Sequence, residues 1–269
     1  MPDTTDDDQA GPKHRWFMAE FLPEGLPEKL YKFSAINANF YSGLKEGYLW
    51  HSRPLTFNDP FDCYKHLLKF EPSEADIVDF CTRNYKTGDP PLNQQIINLL
   101  RNPQHLVDAQ WESLEDSING QGICCFAENY SNTLMWSHYA NNHSGICLVF
   151  SPHLDLTPFI VKVRYTSNFT PLNYYENNRI GALVMLSTKS EDWAYESEYR
   201  SISATPGKNH FDKKMLTEII FGCKTSRDDI FDVIDAIEKS GYKNVAFTKT
   251  YMETDSFRLG FRPLMPFQS

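Results

Sequence analysis

The stretch WAYESEYR, residues 193–200, holds two glutamates and an arginine at alternate positions among three aromatic residues. Its reading decides the fold, because the two backbone periodicities put its charges in different places. In a strand successive side chains point to opposite faces, so Ala194, Glu196, Glu198 and Arg200 share one face and Trp193, Tyr195, Ser197 and Tyr199 the other. One side of a sheet then carries two carboxylates and a guanidinium a few ångströms apart, and the proton affinity of each carboxylate is set by its neighbours. In a helix, Glu196 and Arg200 form instead an i,i+4 pair worth about 0.2 to 0.5 kcal/mol. Residue types alone favour a solvated charged face, and only strand geometry at a cleft makes these glutamates candidates for chemistry.

Working outward, strand-like runs stand on both sides of this stretch. GICCFAE (122–128), GICLVF (145–150) and IVKVRY (160–165) precede it, and TEIIFG (217–222), KNVAFTKTYM (243–252) and FRLGFRPL (257–264) follow. They are compact, apolar and rich in β-branched or aromatic residues. Helices interrupt them unevenly. In NANFYSGLKEG (37–47) Phe40 and Leu44 fall on one face and Gly47 closes the helix, while SRDDIFDVIDAIEKSG (226–241) has Ser226 as N-cap and Gly241 beyond its end. Between residues 72 and 119 the pattern is helical, opening with a capping-box pair, Ser73 and Asp76, and broken by GDPP and NP. ALVMLSTKSEDW (182–193) fits either helix or strand. The expectation is an α+β fold: a mixed, mainly antiparallel sheet forming one domain over 26–269, with a helical insertion at 72–119 and a disordered acidic tail over 1–25.

The chain has 269 residues and a formal net charge of -9. It therefore lacks the overall basic footprint of a protein that grips extended nucleic acid through phosphates, although a local basic pocket is invisible in a sum. No apolar run approaches the roughly twenty residues that cross a bilayer, and MPDTTDDDQAGP is acidic where a secretory signal is basic. A soluble, cytoplasmic protein with no membrane partner is expected. Six cysteines without a CxxC pair read as reduced core residues, and no metal site is expected.

Two further clusters stand out. LMWSHYANNH (134–143) places His138 and His143 five apart with no acid between them, which is not the spacing of a zinc-binding HEXXH helix. FNDPFD (57–62) puts Asn58 and Asp59 before a proline, a turn that side-chain to backbone hydrogen bonds explain without a ligand. No Gly-rich phosphate loop and no GxSxG elbow is present.

Taken in order, LYKF, SRPLTFNDPFD, LMWSHYANNHSGICLVF, WAYESEYR and IIFG resemble a widespread bacterial family of unknown function, number 2971 among such domains. The resemblance runs from about Leu30 to about Leu264 and implies no activity. The order of parts is also similar to ADP-ribosyltransferases that modify DNA bases. That resemblance implies NAD as a substrate, no metal, and an acceptor, protein or nucleic acid, that the sequence does not name. It places the late-strand catalytic glutamate on Glu198, with Glu196 orienting the acceptor and Arg200 as their electrostatic neighbour. Tyr31 or Lys32 would contact NAD, His138 and Tyr139 would line the pocket, and Asn58 and Asp59 would fix a loop over it. The chain departs from the pattern in offering Tyr31 and Lys32 where such enzymes carry arginine or histidine, and in lacking a Ser-Thr-Ser element. Two other readings stand beside it: a non-catalytic module binding a small nucleotide or a partner, for which aromatics at 14% of residues are ample, and a hydrolase using His138 or His143 as general acid or base.

Overall fold

A computed structural model describes residues 25–84, 91–151, 159–176 and 180–264. The tail expected over 1–25 lies, Gly25 apart, outside the described residues. In chain order the first elements are β1 (Leu30–Ser34), α1 (Ala38–Glu46), β2 (Tyr48–His51) and β3 (Leu68–Lys69), then α2 (Glu74–Asn84), α3 (Leu92–Arg101) and α4 (Gln104–Asn119). There follow β4 (Gly122–Ala127), α5 (Thr133–Tyr139), β5 (Ile146–Phe150), β6 (Ile160–Lys162), β7 (Arg164–Thr166), β8 (Leu172–Asn173), α6 (Gly181–Ser187) and β9 (Thr188–Ser190). The chain continues with β10 (Glu198–Ser203), β11 (Gly207–His210), β12 (Leu216–Phe221), α7 (Arg227–Lys239), β13 (Ala246–Met252) and β14 (Leu259–Pro263).

These elements form two compact units, the first made of residues 1–52, 122–163 and 192–269, the second of 53–121 and 164–191. The first unit is built on an eight-stranded sheet in the order β14-β13-β12-β5-β1-β4-β10-β6. Its neighbours run antiparallel except β12 and β13, which are parallel and joined through α7. A parallel pair needs such a crossover, whereas the antiparallel neighbours do not. The fold is thus a mix of helices with a large, mainly antiparallel sheet, as expected from the sequence.

Both faces of this sheet are covered. On one, Leu30, Leu148, Phe126 and Ile219 pack with Phe40 and Leu44 of α1 and Ile230, Val233 and Ile237 of α7. On the other, Phe33, Ala127, Cys147 and Val149 pack with Met135 and Trp136 of α5. This explains why the central strands read as unbroken apolar runs rather than alternating ones. α1 is held by its termini: the Asn37 side chain accepts from Phe40 N–H, and Gly47 closes the helix in the left-handed region at φ 73°.

In the second unit, Ser73 and Asp76 form the expected reciprocal cap of α2, with Asp76 N–H donating to Ser73 Oγ (3.2 Å) and Ser73 N–H donating to Asp76 Oδ2 (2.8 Å). Ile77, Cys81 and Leu106 make a small core of their own. The helical run expected over 72–119 lies within this unit, which also takes in two short parallel pairs, β3 with β8 and β7 with β9. The ambiguous ALVMLSTKSEDW is both things in turn: helix α6, then strand β9, then a 3₁₀ turn.

Candidate functional site

The stretch 193–200 is neither one strand nor one α-helix, so of Ala194, Glu196, Glu198 and Arg200, which a strand would put on one face, only Glu198 and Arg200 lie on a strand. Residues Glu191–Glu196 form a 3₁₀ helix, Ser197 is left-handed at φ 44°, and β10 begins only at Glu198. The turn satisfies its own backbone: Ser197 N–H donates to Ala194 O (3.2 Å), Glu128 N–H donates to Ser197 O (2.9 Å), and Asn132 Nδ2 donates to Tyr195 O (3.0 Å). With Ser197 left-handed and outside the strand, Glu196 is placed by the turn rather than by the pleat.

Glu198 and Arg200 do share a strand face, and they are paired. Arg200 Nε donates to Glu198 Oε1 (2.8 Å) and Arg200 Nη2 to Oε2 (3.2 Å), the bidentate geometry that matches guanidinium to carboxylate. Arg200 is 0% and Glu198 3% exposed. Burial, with the Glu198 carboxylate close by, pushes the neighbouring Cys125 thiol well up, so it stays protonated. Glu196 is equally buried, and Tyr139 Oη at the end of α5 donates to its Oε1 at 2.5 Å.

The register decides which other candidates join this face. Tyr31 lies opposite Ala127, and Ala127 lies opposite Glu198, so the three side chains stand in a row across β1, β4 and β10. The Tyr31 ring packs 5.0 Å from that of Tyr130, and burial foremost, then the Tyr130 phenol, pushes its hydroxyl up to about 12. His138 is exposed at the end of α5, with its ring 6.2 Å from Tyr139 and 6.3 Å from Tyr195. Glu196, Glu198, Arg200, Tyr31, Tyr139 and His138 therefore belong to the α5 side of the sheet.

Lys32 does not. It is the next residue along β1, opposite Leu148, and points to the α1 side. There it lines a cleft of about 580 Å³ together with Ser34, Asn37, Asn39, Trp50 and Lys208. Lys32 has no hydrogen-bond or ion-pair partner among the described residues. Burial works against its charge, and the Glu198 carboxylate favours it. Lys208, by contrast, is engaged with Glu46 at 2.6 Å and with the Tyr48 ring at 4.6 Å. The cleft also receives the start of α1, whose first turn carries no acidic residue. Peptide N–H groups at a helix start favour anions. Trp50, 60% exposed, supplies an aromatic wall, held by β2 opposite Lys208 of β11.

Asn37, Trp50 and Lys208 carry no motif, and only the pairing of β2 with β11 and the placing of α1 bring them to Lys32. The one local signal is a tryptophan left facing solvent in YLWH while its neighbours are buried. The remaining candidates lie elsewhere. Asn58 and Asp59 belong to the second unit, where Asp59 Oδ1 accepts from Phe61 N–H (2.9 Å), the turn chemistry expected of them. His143 lines a separate cavity with Cys223, Lys224 and Phe257, and its pKa is lowered by burial and by Lys224. Among the described residues no group of three or more His, Cys, Asp or Glu side chains is arranged to hold a metal ion, and no helix is long and apolar enough to cross a membrane.

Comparison of the chain with protein-family models, with curated proteins and with solved structures finds no match in any of the three.

Proposed function

We propose that the first unit is a binding module for a small nucleotide, which it takes into the Lys32 cleft, and that the chain belongs to the bacterial family that its motif order resembles. The observation that carries the binding reading is the Lys32 side chain, without a hydrogen-bond or ion-pair partner among the described residues, in one cleft with the start of α1 and an exposed tryptophan. Phosphate oxygens suit the first two, and a base ring stacks on the third. The volume of about 580 Å³ falls in the range of small-molecule sites. Titrating the protein with ATP, ADP and NAD, followed by tryptophan fluorescence, is expected to give saturable binding that Lys32→Met weakens about tenfold to a hundredfold, the worth of one charge-assisted hydrogen bond. Unchanged affinity in a folded Lys32→Met protein would remove the cleft from this role.

A second reading, glycosyl transfer from NAD, is favoured by the row of Tyr31, Ala127 and Glu198 with Glu196 and Tyr139 on the same face. Cleaving the nicotinamide bond develops positive charge on the ribose, which a fixed carboxylate stabilises more in the transition state than in the ground state. Arg200 donates to both Glu198 oxygens and so fixes the carboxylate in place. This reading needs NAD on the α5 side, away from Lys32. Nicotinamide release measured by NMR, with and without cell extract, is expected to vanish in Glu198→Gln, and a folded native protein that releases none under either condition counts against transfer.

A further inference from the structure

The FNDPFD turn contains a carboxylate that its own hydrogen bonds do not use up. Asp59 is 8% exposed, its Oδ1 accepts from Phe61 N–H, and its Oδ2 is buried without a hydrogen-bond partner among the described residues. A buried carboxylate oxygen with no donor is costly, and far more so when charged. Asp59 lines a cavity of about 450 Å³ in the second unit, walled by Leu55, Phe57, Tyr64 and Met185.

The other charges at this cavity are already balanced. Asp62 is buried and lies 3.7 Å from the equally buried Lys189, and Cys63 Sγ donates to Asp62 Oδ1. Glu115 faces Lys65 at 3.8 Å. Among the described residues Asp59 is the carboxyl group at this cavity without an ion-pair partner, and Leu55, Phe57, Tyr64 and Met185 line the same cavity. With no group of three or more metal-binding side chains among the described residues, a caged metal ion does not fit. An organic cation does: its N–H groups answer the carboxylate and its apolar stem meets the walls, with Tyr64 offering a ring face.

We propose that this cavity binds an ammonium or guanidinium group on an apolar stem, with Asp59 as its counter-ion. The proposal makes no use of the Lys32 cleft. The ligand is either a free amine or guanidine or the side chain of a lysine or arginine from a partner protein, two sources of one chemistry.

Binding is tested by NMR titration of the full chain with butylguanidinium, with neutral butylurea of the same shape, and with an acetylated, amidated Ala-Arg-Ala peptide. Butylguanidinium is expected to bind at least tenfold more tightly than butylurea, and Asp59→Asn, which keeps the Oδ1 acceptor, to abolish that preference. Tighter binding of the peptide points to a protein side chain, and tighter binding of butylguanidinium to a free ligand. Equal binding of the cation and its neutral isostere by the native protein overturns the proposal, whether or not Asp59→Asn folds. So does a folded Asp59→Asn protein that keeps the preference.

Discussion

His51 is buried on β2, with Nε2 3.1 Å from Ser201 Oγ and Nδ1 3.4 Å from the Leu49 carbonyl. Burial, against a smaller opposing contribution from the Leu49 carbonyl, lowers its pKa from 6.5 to about 4, so it is neutral in the folded protein near pH 7. Between those values the unfolded chain takes up a proton that the folded chain refuses. Stability is therefore flat with respect to this group above about pH 6.5 and falls as pH drops toward 4. At 1.36 kcal/mol per unit the loss approaches about 3 kcal/mol. Urea denaturation of the native protein and of His51→Gln across this window is expected to give a shallower slope for the variant, and equal slopes would mean that His51 titrates normally when folded. The Glu198–Arg200 pair behaves differently. Breaking it with Glu198→Gln strands a buried guanidinium and is expected to cost about 3 to 5 kcal/mol in the same assay, whereas replacing both with Gln and Met costs less. A loss under about 1 kcal/mol would mean that the pair is solvated in solution. At this scale the sequence was a fair guide: alternation alone put Glu198 and Arg200 on one face. It did not show that Glu196 stands in a turn before the strand, because a left-handed Ser197 leaves no mark in the residue types.

At the scale of elements, the segments most legible in the sequence are those whose ends are written in side chains. Ser73 with Asp76 and Ser226 with Asp229 cap α2 and α7 as their spacing implies, and Gly47 stands at positive φ where α1 stops. The join between α5 and β5 was far less legible. Asn141, Asn142 and His143 are all left-handed, at φ 47°, 53° and 70°. One such residue is uncommon outside glycine and three in succession need outside support, although asparagine and histidine tolerate the region better than most. The support comes from the residues just after β12: Lys224 N–H donates to His143 O (3.0 Å), and Gly222 N–H to Gly145 O (2.9 Å). Gly222 is there because a Cβ at that position would stand 2.1 Å from the His143 carbonyl oxygen. Gly222→Ala is expected to destabilise the protein by about 1 to 3 kcal/mol in urea denaturation and to shift the NMR signals of His143. A variant as stable as the native protein, with His143 unmoved, would show that the turn is not pinned from this side.

Over the whole molecule, the division into two units is what the sequence hid best. The chain leaves the first unit after Ser52 and re-enters it at Gly122, and Ser52 pairs with Ile123 through two hydrogen bonds of 2.8 Å. The excursion thus begins and ends at neighbouring points, a closure made by residues far apart in the chain that no local pattern announces. The second unit is completed by a second excursion, residues 164–191, and has its own core around Ile77, Cys81 and Leu106. Units with separate cores need not unfold together. Scanning calorimetry is expected to resolve two transitions, and cavity-forming substitutions assign them, since Ile→Ala in a core costs about 2 to 5 kcal/mol. Ile77→Ala should lower the melting temperature of one transition by about 8 °C or more, because the smaller unit has the smaller unfolding entropy. Ile219→Ala, fully buried in β12, should lower the other by about 4 °C or more. If each substitution instead moves a single shared transition, the two cores melt as one. A ligand in the Asp59 cavity would then stabilise the Lys32 cleft as well, by the linkage that ties any bound state to global unfolding. With separate transitions, a cation in the second unit raises only its own, and a nucleotide in the first raises only the other.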